Sequence, residues 1–319
     1  MSKLGRVSET LSDNFDEDLL LQEPISVWRR TFKRLLSRRS GKIGLFLIGL
    51  IFLIAFTAPI IAPYDPHEVL IGKEIVKLKK REGPCIHMLG CDSAKPQHIM
   101  GIDGNYRDQF SRIIYGSRIS LSIGFSTVSF AVVGGVLLGA LAAFFGGWID
   151  NIIMRVMDVI LGFPSLLLAI AIVAVLGPGI RNALLAIAIV TLPAYARLTR
   201  ASVLTVKELD FVKASIALGA SPTRLLLFRI LPNSLTPVVV LATLGIATAI
   251  LDAAGLSFLG LGAQPPTPEW GTMLGSERNQ VFSAPHLVFF PGIAIMITVL
   301  AFNLFGDGLR DALDPRLND

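Results

Sequence analysis

Charge is scarce in this chain. Of 319 residues only 17% are Asp, Glu, Lys or Arg, while 52% are hydrophobic, and the mean hydropathy is +0.64. A soluble globular domain carries about a quarter charged residues, so a soluble enzyme or binding module is excluded as the main body. Cysteine occurs twice and histidine four times. That rules out a disulfide-built scaffold and leaves little for a multi-ligand metal centre. Motifs for hydrolysis are missing too. No Gly-x-x-x-x-Gly-Lys-Ser/Thr occurs, since "SRRSGKIG" has the Gly-Lys pair without the upstream glycine, and no His-Glu-x-x-His occurs. No catalytic residue and no metal ligand is assigned. Alternating segments of about ten residues, the mark of a membrane barrel, are also absent.

What remains is a set of apolar blocks near the length that crosses a bilayer, about 20 residues each. The pattern predicts an all-α integral membrane protein with six spans: 43–62, 119–145, 156–176 (interrupted by "GFPS"), 183–196, 235–261 and 287–305. Gly134, Gly135 and Gly139, with Ala131, Ala142 and Ala143, suit close helix approach in the second span. The first apolar run begins too deep for a cleavable signal peptide, so it is expected to stay as an anchor.

The charges are segregated. Residues 1–24 read as a flexible acidic tail. "ISVWRRTFKRLLSRR" places Ile25, Trp28, Phe32, Leu35 and Leu36 at helical spacing among Arg and Lys, an amphipathic basic helix at the membrane interface or a topogenic signal. The net charge of +5 therefore points to anionic lipid and topology, not to nucleic acid. The basic N-terminus places both termini in the cytoplasm of a multi-pass cell-membrane protein. The expected organisation is 25–63 for the basic helix and first span, 64–108 for an extracytoplasmic loop, 109–309 for the core, and 310–319 for a cytoplasmic tail. In the outer loop, Cys85 and Cys91 favour a disulfide, worth about 2 kcal/mol for so short a closure. A metal site with His87 is the rival, and it is a ligand short.

Between the fourth and fifth spans, 207–234, the chain is basic and broken. "DFVKASIALGA" reads as a short helix with small residues at Ala214, Ala217 and Gly219, and Gly219 suits a left-handed C′ position. Ser221 fits an N-cap and Pro222 the first helical turn. "TRLLLFRILP" reads as a second helix ended by Pro232. From shape alone this knuckle is either a docking element or an ordinary loop with helix caps. Within the fifth span sits Asp252. A carboxylate at membrane depth faces a bundle interior or water. It either lines a path for a peptide amine or a cation, or serves as a structural helix partner. Ser126 and Thr248 are further candidates for a path, or plain interhelical hydrogen-bonding residues.

Ala214-x-x-x-x-Gly219 followed by Leu231-Pro232 resembles the coupling loop of ABC importer permeases. "HIMGIDGNYRDQFSRIIYGSRISLSIG" (98–124), "FPSLLLAI" (163–170), "LSFLGLGAQPPTPEWG" (256–271) and "FPGIAIMITVLAFNLFGDGLRDALDPR" (290–316) are similar to the second, C-type membrane subunit of dipeptide/oligopeptide/nickel permeases. The resemblance implies a type I importer architecture and a partner permease of the same kind. It also implies two ATP-binding subunits that use ATP and Mg, and an extracellular or periplasmic binding protein; no cofactor is implied on this chain. Coupling positions carried over are Lys213, Ala214, Ser215, Ala217, Gly219, Ala220, Ser221, Leu231 and Pro232. The family's opening Glu-Ala-Ala is Lys213-Ala214-Ser215 here, a charge reversal. Import of dipeptides or oligopeptides is the implied activity. Import of nickel or another chelated metal is an alternative, and an ion-coupled secondary carrier is a more distant one. Cys85 and Cys91 are expected to resist alkylation in intact, non-reduced cells and to label only after reduction; immediate labelling would reject the disulfide.

Overall fold

Hydrocarbon offers no partner to a free N–H or C=O, so a lone apolar run can satisfy its backbone only as a helix. The computed structural model describes residues 27–74 and 78–313. The acidic tail expected over 1–24, Ile25, and residues 314–319 lie outside the described residues. In chain order the helices are α1 (Val27–Leu35), α2 (Arg39–Ile61), α3 (Gln109–Phe145), α4 (Gly147–Leu161), α5 (Ser165–Leu176), α6 (Ile180–Lys207), α7 (Asp210–Ala217), α8 (Pro222–Leu225), α9 (Leu231–Ser234), α10 (Thr236–Phe258), α11 (Trp270–Glu277) and α12 (His286–Leu313). No strand forms among the described residues, only two isolated bridges.

α2, α3, α6, α10 and α12 are long and apolar enough to span a membrane, and the pair α4–α5 makes a sixth span if taken together. That pair is bent by 93°. The sequence marks the spot: Pro164 disfavours helical backbone at Phe163 and lacks an N–H of its own. The expected third span at 156–176 is therefore two helices, and the first of them starts nine residues earlier. α3 likewise begins ten residues before the expected 119, at Gln109. Its first turns are polar and buried, so hydropathy missed them. Pro193 and Pro291 lie inside α6 and α12 without ending them.

α3 packs along α6 more extensively than any other pair, with α2 and α12 joined on one flank and α10 between. Small residues set these distances. A Cβ on Gly139 would stand 2.3 Å from the carbonyl oxygen of Ala196, so only glycine permits that approach of α3 to α6. α1 is held by Leu35, which is buried against Leu309 and Ala312 at the end of α12, while Phe32 and Leu36 stay open.

At the opposite end of the bundle, the loop between α2 and α3 folds into a cap. A disulfide joins Cys85 to Cys91, and Cys85 N donates to His98 O at 2.8 Å. Asp108 is the N-cap of α3. One carboxylate oxygen accepts from Ser111 N and Oγ at 2.7 and 2.8 Å, and the other lies 2.8 Å from His98 Nδ1. Glu74 sits 3.3 Å from His98 Nε2 and accepts from the Tyr64 hydroxyl at 3.0 Å. Tyr64 also stacks on the imidazole. The cap is stitched to the α10–α12 connection as well. Arg112 donates to the carbonyls of Pro66 and Pro266 at 2.8 and 3.1 Å. Glu277 takes Arg81 Nε at 2.8 Å and Gly104 N at 3.0 Å. Glu269, only 1% exposed, caps α11 by accepting from Gly271 N and Thr272 N.

Burial of His98 opposes its charge, yet Asp108 and Glu74 outweigh that penalty, and the imidazole pKa is raised. A raised folded pKa gives stability that is complete below the unfolded value of about 6.5 and lost as pH rises through the folded value. Hydrogen exchange of 78–107 is therefore expected to accelerate beyond the intrinsic chemical rate as pH rises above the ordinary imidazole value of about 6.5, and His98→Gln to abolish that excess. A wild-type protection factor independent of pH would contradict this role.

Candidate functional site: a jointed knuckle at one end of the bundle

Far from the cap, the connection between α6 and α10 folds into α7, α8 and α9. Asp210 stands in the first turn of α7, where a carboxylate suits the positive end of the helix dipole. The helix stops at Gly219, whose φ of +77° needs a residue without a Cβ. Ala220 N donates to Ser215 O at 3.1 Å and Gly219 N to Ile216 O at 2.9 Å. These are the paired bonds of a Schellman stop. Ser221 occupies the N-cap of the next helix with Pro222 following, but its side chain makes no capping bond. Lys213 pairs with Glu208 at 3.4 Å on the open surface, so the reversed charge has a local partner. Ser215 Oγ donates to Phe211 O.

Pro232 does not end the second helix as expected. The backbone widens to a π turn over Leu226–Ile230 and continues through α9. Proline cannot donate and its ring crowds the carbonyl four residues back; the wider turn relieves both, as such bulges do. Leu231 N reaches Leu226 O, and Asn233 and Ser234 side chains donate to Arg229 O and Ile230 O. The joint thus stays bonded past the proline.

One face of the knuckle is bolted down. Val212, Leu225 and Ile230 are buried with Val203 and Val206 of α6 and Ala140 and Ala143 of α3. The other face is open, with Leu218 88% and Phe228 72% exposed and Ile216, Ala217 and Gly219 beside them. A part fixed to the ends of two spans and apolar on its free side can receive a push and pass it on. The apolar anchors recur at three- and five-residue steps that the sequence reading had not used. Nor had it paired Arg200 with Asp150, a two-pronged contact at 2.6 Å, or Arg197 with Asp158. Both pairs tie α4 to α6, and the signal available was the Arg-x-x-Arg spacing facing two aspartates.

The other predicted residues lie elsewhere. Asp252 and Thr248 share one face of α10, and Thr248 Oγ1 donates to Gly245 O at 3.0 Å. Ser126 is not with them. Gly124 faces Ile250 of α10, and two residues on is about 200° round the helix. Among the described residues no group of three or more His, Cys, Asp or Glu side chains is placed to hold a metal ion.

The family described as binding-protein-dependent transport system inner membrane component matches residues 135–319. The N-terminal TM domain of oligopeptide transport permease C matches 26–78. The chain is 46% identical over 293 residues to the dipeptide transport system permease protein DppC of Alkalihalophilus pseudofirmus, covering 92% of this chain and 91% of that one. It is 46% identical over 306 residues to the di/tripeptide permease DppC of Pseudomonas aeruginosa, covering 95% and 96%. It is 44% identical over 291 residues to the glutathione permease GsiD of Pectobacterium atrosepticum, covering 91% of each. Among solved structures, a chain of the MetNI methionine ABC transporter in an inward-facing form aligns with TM-score 0.53 at 19% identity, over 64% of this chain and 97% of that one, a likeness of fold. The apolar architecture of five or six spans, the jointed knuckle and these matches agree: the chain belongs to the binding-protein-dependent inner-membrane transport components, as the C-type permease subunit of the dipeptide/oligopeptide ABC importers.

Proposed function

We propose that this subunit imports short peptides by relaying the closure of two ATP-binding subunits through residues 210–232. Lys213, Ala214, Ser215, Ala217, Gly219, Ala220, Ser221, Leu231 and Pro232 form the relay. The observation that carries the reading is the two-sided knuckle: Val212, Leu225 and Ile230 seated on α3 and α6, and Leu218 with its small neighbours open. In this reading the knuckle and both termini are cytoplasmic. The cap over 64–108 is extracytoplasmic and receives a binding protein. ATP and Mg act on the partner subunits, and this chain has no catalysis of its own. A homologous permease supplies the other half of the pathway, with membrane lipid around the rest. Short peptides are favoured over a metal chelate because the relatives carry dipeptide, di/tripeptide and glutathione names. A secondary carrier is disfavoured because the spans lack a set of coupled acids.

Gly219→Leu tests the relay. A leucine there must hold left-handed backbone at a cost of about 1–2 kcal/mol and place bulk where the knuckle is open. Uptake and transport-linked ATP hydrolysis are expected to fall about tenfold with membrane insertion unchanged. Gly219→Asn, which tolerates that backbone, is expected to lie between. Crosslinkers at Ala217 to Ser221 should reach a co-purifying ATPase; normal uptake by the leucine variant, with no such crosslink, would leave an ordinary loop.

A further inference from the structure

Several charges within the helices have partners. Arg200 and Arg197 hold Asp150 and Asp158, and Arg112 holds Asp103 and two carbonyls. Asp252 lies inside a span. It is half-buried in α10, and among the described residues it makes no ion pair or hydrogen bond. It lies six residues from the last residue of α10, so about 9 Å along the helix from that end.

The helix around it shows which way it faces. Ile246 and Ile250 pack on α3. Ala253 and Leu256 pack on α5 and α6. Ala254 meets Trp270 and Met273 of α11. The remaining sector holds Thr248, Leu251, Asp252 and Gly255, and among the described residues it is only partly covered, with Thr248 and Leu251 exposed and Asp252 and Gly255 half-buried. Leu251 is 53% exposed, and a Cβ on Gly255 would meet no atom within 4 Å. One turn further along, the sector closes on the Tyr195 hydroxyl, which lies against Gly245. A carboxylate and a hydroxyl four residues apart on an open helix face cannot look at lipid without a large cost. That face therefore looks into water or onto another subunit.

We propose that Asp252 and Thr248 form a cation subsite on the pathway wall that receives the protonated amine of a peptide in transit. This deepens the peptide-import reading and rests on it. One carboxylate with one hydroxyl suits an ammonium, which needs an opposite charge and one or two acceptors. It is too few donors for a desolvated metal ion. Gly255 leaves the space a backbone-sized guest needs, and the Tyr195 hydroxyl lies against Gly245 at one end of the face.

The test uses the assembled importer in lipid nanodiscs, with Thr248→Cys as reporter; Cys85 and Cys91 are joined to each other. A cationic thiosulfonate is expected to modify this cysteine about tenfold faster than an anionic one of the same size, because a nearby carboxylate concentrates the cation. Adding Asp252→Asn should bring the ratio to about one, and Asp252→Glu should keep it. Ala-Ala supplied with binding protein and ATP should slow the cationic reaction. With the native Thr248, Asp252→Asn should cut maximal uptake about tenfold, with Asp252→Glu recovering most of it. A cysteine that neither reagent reaches, or one that both modify equally with Asp252 present, overturns the subsite: the face is then covered, or the carboxylate is paired across the subunit boundary. Those labelling rates are read without transport. If the wild-type importer moves no peptide at all, the import reading fails instead, whatever the labelling shows.

Discussion

In hydrocarbon a polar group must find its partner within the protein, and this chain is arranged around that demand. Its long helices satisfy their own backbone, and nearly all its charge is pushed to the two ends of the bundle. At one end the charges close on each other as a cap: Asp108 is shared by the start of α3 and by His98, and Glu277 by Arg81 and Gly104. At the other end the chain emerges as a knuckle whose buried contacts are apolar. Polar stitching makes the cap hold one shape, since each partner removed leaves another stranded. Apolar seating makes the knuckle firm but free of directional bonds on its outer face.

The middle of the bundle is packed through small residues. Gly139 against Ala196, and Gly308 against Gly41, bring backbones together where any side chain would collide. Interiors at that density move as units. Val212 and Ile230 are seated directly on residues of α6 and α3. The bent pair α4–α5 is tied to α6 by Asp150–Arg200 and Asp158–Arg197, so it follows the same element. In this permease of the C-type dipeptide/oligopeptide family the knuckle and the bent pair are thus both joined to α6.

Much of this was legible in advance. Apolar block length announced α2, α10 and α12, because a bilayer's thickness acts on residue count alone; α6 runs eleven residues past the expected end at 196, through Arg197, Arg200 and Lys207. Gly219 announced the end of α7, because left-handed backbone selects glycine locally. Other features were hidden by burial among polar partners. The first three turns of α3 read as loop, since Gln109, Ser111 and Arg112 are polar, yet all three are buried, Gln109 and Arg112 donate to distant carbonyls, and Ser111 accepts from Tyr64 N. Pro232 reads as a stop, yet a π turn and two side chains carry the helix past it.

By itself the sequence determined an all-helical membrane bundle and the position of its jointed segment. Both follow from short-range physics: the hydropathy of a run and the steric needs of Gly and Pro. Tertiary structure alone decided that Glu277 holds Arg81 from 196 positions away, and that Ser126 and Asp252 lie apart. It also decided that Asp252 keeps an open face. Those outcomes depend on which helix faces which, and that is settled by packing between residues far apart in the chain, where no local pattern records the partner.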